Sequence, residues 1–289
     1  MSSKSARDDP DWDTSCQDGF YRHYEQQSGG EADWHRFQMI HAALWRALGQ
    51  PAGSLRVGDI GCGAGTQCRL WAGMGHRVQG VDINEALIGL ARQRAQQAGL
   101  EIQFAVASAT ALPWDDGAMD VCVAPELLEH VTDWTTCLSE MVRVLRPGGA
   151  LFISTSNKLC PSQEEFSLPL YSWYPAWLKH HCEHLARTTH PQLAAYATYP
   201  AVNWFTYYGL RQHLGQQGLH CMDRFDMMDL AGRGRMAVAL VRAIRRMPPL
   251  RWLAHVATPY TVLLGIKPAV ASGSARGASQ SAMGPRPTA

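Results

Sequence analysis

Residues 57–65 read VGDIGCGAG: after a short apolar run, glycines stand at 61, 63 and 65 with only small residues between them. Glycine alone takes positive φ without steric cost, so this run marks a tight turn that cradles a ligand. Around it the pattern alternates. "LRVGDIG", "RVQGVDIN", "IQFAVAS", "MDVCVAP" and "ALFISTSN" read as strands, with "TQCRLWAGMG", "NEALIGLARQRAQQAG" and "WTTCLSEMVRVLRPGG" as helices between them. Asn84 is placed to cap the second of these helices and Gly99 to stop it. Repeated strand–helix units require a mostly parallel sheet with helices on both faces, a doubly wound, Rossmann-like α/β fold.

Two adenosine ligands compete for such a turn. A dinucleotide fingerprint puts its third glycine one place later, where this chain has Thr66, and it seats a pyrophosphate on the helix N-terminus. Asp59, at the end of the first strand, opposes a pyrophosphate and suits a cationic amino group. Asp82 closes the second strand, about 20 residues after the glycines, where an acid accepts both hydroxyls of a ribose. An adenosine with no phosphate and with an ammonium of its own is S-adenosylmethionine.

On these residues the chain resembles the class I S-adenosylmethionine-dependent methyltransferases, over residues 55–157. VGDIGCGAG matches their first motif and "GVDIN" their second. "ATALPWDDGAMDVCVA" is similar to the passage from third to fourth strand, and "RVLRPGGALFIST" to the segment that closes the core. The resemblance implies that Asp59, Gly61, Cys62, Gly63 and Gly65 line the cofactor's amino-acid end. Asp82 would hold the ribose and Ile83 pack on the adenine. Ser108 stands where many members carry an Asp that accepts from the adenine amino group, and a hydroxyl accepts more weakly. Ala109 would offer a backbone N–H, and Pro125, at the end of the fourth strand, completes the set.

"PELLEHV" follows that strand, and on a helix Glu126, Glu129 and His130 would share one face. The stretch resembles the quinone-pathway O-methyltransferases, which implies a divalent cation on this acid–acid–His set beside a catechol. Three readings stand: a cation on Glu126, Glu129 and His130, although Mg²⁺ prefers oxygen ligands; His130 as general base; and His130 as a structural histidine. "HHCEH" puts His180 and His184 at a zinc spacing that any polar helix face also shows, with no further ligand nearby. The absence of an Asn-Pro-Pro-Tyr-type segment after the fourth strand disfavours methylation of nucleobase or amide nitrogens.

A net charge of +1 argues against a dedicated nucleic-acid binder. Eight cysteines without a CxxC pair read as free thiols in a reducing compartment. No signal peptide is visible, and the expected location is cytoplasmic, with membrane association open. The expected organisation is a disordered 1–16, a methyltransferase domain over 17–235 with a lid insertion near 159–205, a helical appendage over 236–267 and a disordered tail over 268–289. In the insertion, Trp173, Tyr174 and Trp177 pack inward, line an apolar acceptor pocket or form a membrane-facing lip. In the appendage, Arg242, Arg245, Arg246 and Arg251 alternate with apolar residues. Such a segment can lie on an anionic membrane, cover the core or make a dimer contact. Arg36 and Tyr24 are candidates to clamp the cofactor carboxylate. The expected acceptor is small or lipid-like, with oxygen the favoured nucleophile and a quinone precursor one version. The rivals are a catalytically silent binding module and an NAD-dependent oxidoreductase, the latter disfavoured by Asp59 and Thr66. The sequence leaves the oligomeric state open.

Overall fold

A computed structural model describes residues 30–163, 166–193 and 203–269. Tyr24, the 1–16 segment and all but the first two residues of 268–289 lie outside the described residues. The chain opens with α1 (Glu31–Ala47), then alternates β1 (Arg56–Ile60), α2 (Thr66–Gly73), β2 (Arg77–Asp82), α3 (Glu85–Gln97) and β3 (Ile102–Val106). β4 (Met119–Pro125), α4 (Trp134–Val144) and β5 (Leu145–Ser156) follow. After the insertion, which carries α5 (Ala176–Thr188), come α6 (Tyr207–Gln216), β6 (His220–Asp223), α7 (Arg224–Met227), α8 (Arg235–Arg246), α9 (Pro248–Val256) and β7 (Tyr260–Ile266).

The seven strands lie in the order β3-β2-β1-β4-β5-β7-β6. β1 to β5 pair in parallel, and β7 runs antiparallel to both β5 and β6. The strand order reverses between β1 and β4, and the carboxyl ends there form the crevice in which open α/β sheets bind ligands. Both faces are covered, as the near-continuous apolar strands require. Phe37, Leu44, Val57, Trp71 and Ile88 belong to one buried cluster. Ile60, Leu128, Met141 and Leu210 belong to the other.

Local chemistry sets the helix starts. The Asn84 side chain accepts from Leu87 N at 3.1 Å, and Asp133 and Thr206 cap α4 and α6 in the same manner. Asp223 and Asp226 form a capping box that starts α7, so a helical turn follows directly on the short strand β6.

The expected 236–267 helical appendage is only partly helical. Residues 260–266 are a strand lying between β5 and β6, with Leu263 and Leu264 fully buried. Proline at 259 ends helical continuity, and the run behind it, TVLLGI, is β-branched at its start and suits a strand buried on both faces. The preceding helices are fastened to the sheet. His255 Nε2 lies 2.9 Å and Arg251 Nε 2.6 Å from the buried Asp223 Oδ2. Asn157, just past β5, donates through Nδ2 to the carbonyls of His255 and Thr258.

The insertion leaves and returns at the carboxyl edge, where Asn157 bridges Phe205. It has its own small core. Phe166 and Tyr171 stack with centroids 4.3 Å apart, and Tyr174, Cys182 and Trp204 pack around them. Of the aromatics expected to pack inward, Tyr174 does so, whereas Trp173 and Trp177 are exposed.

Candidate functional site

The glycine turn has the backbone its sequence demands, with φ of +74° at Gly61, +50° at Gly63 and +73° at Gly65. A Cβ on Gly65 would sit 2.9 Å from Ala91 Cβ and 3.1 Å from the Phe104 ring, so glycine there also lets α2 approach α3 and β3 closely. Asp82 ties the second strand to the turn. Its Oδ2 accepts from Gly63 N at 2.8 Å and its Oδ1 from Asn84 N at 2.9 Å. Burial raises its pKa, and these backbone donors work against that rise. An ionised carboxylate has about four acceptor positions. Two remain for a diol.

Asp59 is 1% exposed. The Cys68 thiol donates to its Oδ2 at 3.1 Å, while its Oδ1 has no hydrogen-bond partner. Burial pushes its pKa up to about 7, against the Cys68 hydrogen bond. In the first turn of α2, buried Gln67 leaves both amide atoms unpartnered, and Thr66 Oγ1 is unpartnered as well. Buried polar atoms cost free energy unless satisfied. A carboxylate oxygen, an amide and a hydroxyl beside a glycine turn suit a small zwitterion, such as the amino-acid end of S-adenosylmethionine. Sequence reasoning missed Gln67, whose only signal was its place directly behind the glycines.

At the end of β2, Ile83 is 52% exposed, and Val106, the register partner of Asp82 on β3, is 47% exposed. Two exposed aliphatic side chains beside a diol-binding acid suit the face of a base. Ser108 is engaged locally: its Oγ lies 2.8 Å from Thr110 Oγ1 and accepts from Thr110 N. Ala109 and Pro125 are half-buried, and Cys62 is buried beside the turn.

After β4 the chain does not form the expected α-helix. Glu126 takes φ +54°, and a 3₁₀ turn spans Leu128–His130. Glu126, Glu129 and His130 therefore do not present one ligand face. Glu126 Oε1 accepts from Arg36 Nη1 at 2.6 Å. Glu129 is 1% exposed, and its Oε2 accepts from Thr155 Oγ1 at 2.7 Å. No group of three or more His, Cys, Asp or Glu among the described residues could hold a metal ion. The expected helical face shared by Glu126, Glu129 and His130 is thereby corrected: the chain makes a 3₁₀ turn there, and the two acids turn to different partners, Arg36 and Thr155. His180 and His184 lie on α5, where His180 faces Glu183, which also accepts from the buried Tyr171 hydroxyl. Their spacing belongs to a helix face.

His130 reaches solvent on one side yet has protein packed around it, and that burial lowers its pKa to about 4. It is neutral near pH 7, with a ring nitrogen that accepts a proton less readily than a free imidazole does. The turn is held from the insertion by Asn203, whose Nδ2 donates to the carbonyls of Leu128 and Val131. A separate open groove lined by Arg56, His76, Arg77 and Gln103 lies at the opposite edge of the sheet, away from both acids and the glycines.

Residues 58–153 match the family described as "Methyltransferase domain". A ubiquinone biosynthesis O-methyltransferase from Sinorhizobium medicae is 38% identical over 109 residues, covering 38% of this chain and 44% of that protein. One from Maricaulis maris is 36% identical over 132 residues, covering 45% of this chain and 51% of that protein. The chain spans about half the length of the curated relatives it matches. Among solved structures, Haemonchus contortus phospholethanolamine N-methyltransferase 2, in complex with phosphomonomethylethanolamine and S-adenosylhomocysteine, superposes with a TM-score of 0.53. That match has 17% identity and covers 86% of this chain and 57% of that one, a likeness of fold. Through residues 58–153, then, the chain carries a methyltransferase domain of the class I S-adenosylmethionine-dependent type.

Proposed function

We propose that the protein transfers the methyl group of S-adenosylmethionine to an oxygen of a small, largely apolar acceptor. One observation carries the reading: two acids, the buried Asp59 and the half-buried Asp82, flank a turn of three positive-φ glycines at the strand-order reversal, and Asp59 keeps an unpartnered oxygen. In this reading Asp59, Gln67 and the turn hold the amino-acid end. Asp82 takes the ribose, with Ile83 and Val106 against the adenine. When bound, the cofactor supplies a methyl carbon already activated by a sulfonium. The protein's share is alignment and exclusion of water. An oxygen nucleophile must also shed a proton, and in this reading His130, just past the carboxyl end of β4, receives it.

The names of the relatives support an oxygen acceptor, and a quinone precursor is the specific version of that reading. Exposed Trp173 and Trp177 on the insertion support an apolar one. The test has two arms. Calorimetry should show binding of S-adenosylmethionine and S-adenosylhomocysteine and none of NAD. Incubation with an extract and isotopically labelled donor should give a labelled O-methyl product by mass spectrometry. NAD binding would overturn the cofactor reading. Cofactor binding with no labelled product would leave a silent binding module.

A further inference from the structure

We propose that α8 and α9 form an interfacial anchor that lies on an anionic phospholipid bilayer. On α8, at about 100° per residue, three sectors separate. Val241 and Ile244 face inward and are buried. Met236 and Leu240, with Met247 just past the helix, form a stripe that is 89%, 55% and 53% exposed. Arg235, Arg242 and Arg246 flank that stripe, are exposed, and make no hydrogen bond to the described residues. α9 continues the apolar surface with Trp252 and Leu253, both about half exposed.

The charge selects the occupant. From residue 230 to 269 the chain carries seven Lys or Arg and no Asp or Glu. Two of the arginines serve the fold: Arg245 donates to carbonyls of 225, 226 and 228, and Arg251 binds Asp223 and Asp226. Arg233 also donates to the Asp229 carbonyl and Lys267 to the carbonyls of Val142 and Leu145, which leaves Arg235, Arg242 and Arg246 to meet something negative. A second copy docked on the same face would set arginine against arginine, whereas acidic headgroups would neutralise the flank while acyl chains take Met236, Leu240, Trp252 and Leu253. No helix among the described residues is long and apolar enough to cross a membrane, so the contact is one of lying on the surface. α9 ends against the carboxyl edge through Asn157, so docking would hold the methyl-transfer edge close to the bilayer. The docking itself does not depend on the identity of the acceptor.

The test is cosedimentation of the full chain with phosphatidylcholine vesicles and with vesicles that also contain phosphatidylglycerol. The protein should pellet with the second and not the first, and added salt should release it. The double variants Leu240→Ser/Trp252→Ser and Arg242→Gln/Arg246→Gln should each weaken partitioning by about tenfold or more. Their affinity for S-adenosylhomocysteine should stay unchanged, which separates loss of docking from loss of fold or cofactor site. Wild type left in the supernatant with phosphatidylglycerol vesicles, or variants that pellet like wild type, would overturn the proposal. So would a dimer in sedimentation velocity that Leu240→Ser dissociates, with no vesicle binding, since the face would then belong to a second copy.

Discussion

Arg36 on α1 and Glu126 at the end of β4 meet at 2.6 Å, ninety residues apart in sequence, and tie the N-terminal helix to the carboxyl edge of the sheet. Both side chains are about 40% exposed, so the pair contributes less than about 1 kcal/mol. Glu126→Gln should leave thermal stability nearly unchanged. Arg36→Met should weaken binding of S-adenosylhomocysteine by about tenfold, through loss of a charge-assisted partner for its carboxylate. Equal affinities by calorimetry would remove Arg36 from the cofactor site.

Asp59 stores a cost in the folded state. Its folded pKa of about 7 lies above the ordinary 3.8, so the folded chain holds a proton that the unfolded chain has released. Stability should therefore fall as pH rises from about 4 to about 7. Asp59→Asn should remove that slope and raise stability at pH 8 by roughly 2–4 kcal/mol, while weakening cofactor binding. Denaturant melts across pH check the first half and calorimetry the second.

Asp82→Ala deletes the acceptor of Gly63 N and Asn84 N together with the proposed ribose site. Cofactor affinity should drop by roughly 10²–10⁴-fold, from one or two charged hydrogen bonds. Asp82→Asn should cost less. A Kd within threefold of wild type for the alanine variant would place the ribose elsewhere.

His130 has a folded pKa of about 4, below the ordinary 6.5. Between those values the unfolded chain binds more protons, so stability should fall as pH drops through that window. The catalytic rate of wild type should stay flat from pH 6 to 8. His130→Ala should lower kcat by about 10²–10⁴-fold with cofactor affinity retained. Wild-type turnover would make His130 structural.

Gly65→Ala meets both a positive φ and a Cβ contact of 2.9 Å with Ala91. A loss of roughly 2–3 kcal/mol in equilibrium unfolding is expected. A neutral effect would mean that α2 can slide away from α3.

The sequence was most legible where one residue type has one physical use. Glycines at 61, 63 and 65, acids closing β1 and β2, and Asn84 before a helical pattern each announced their place. β7 was hidden because a short apolar run reads equally as buried strand or buried helix, and two helices precede it. The turn at Leu128–His130 was hidden because its shape comes from partners far along the chain: Arg36 for Glu126, Thr155 for Glu129 and Asn203 for the backbone. Gln67 and Val106 became visible only once burial could be set against hydrogen bonding and exposure.

β7 fills the seam between β5 and β6, yet it is the last of the seven strands in the chain. Until it emerges during synthesis, β5 keeps an open hydrogen-bonding edge and β6 has no neighbour. A nascent chain halted before residue 260 would present that bare edge to other chains. Removal of these few residues should therefore provoke aggregation out of proportion to their number.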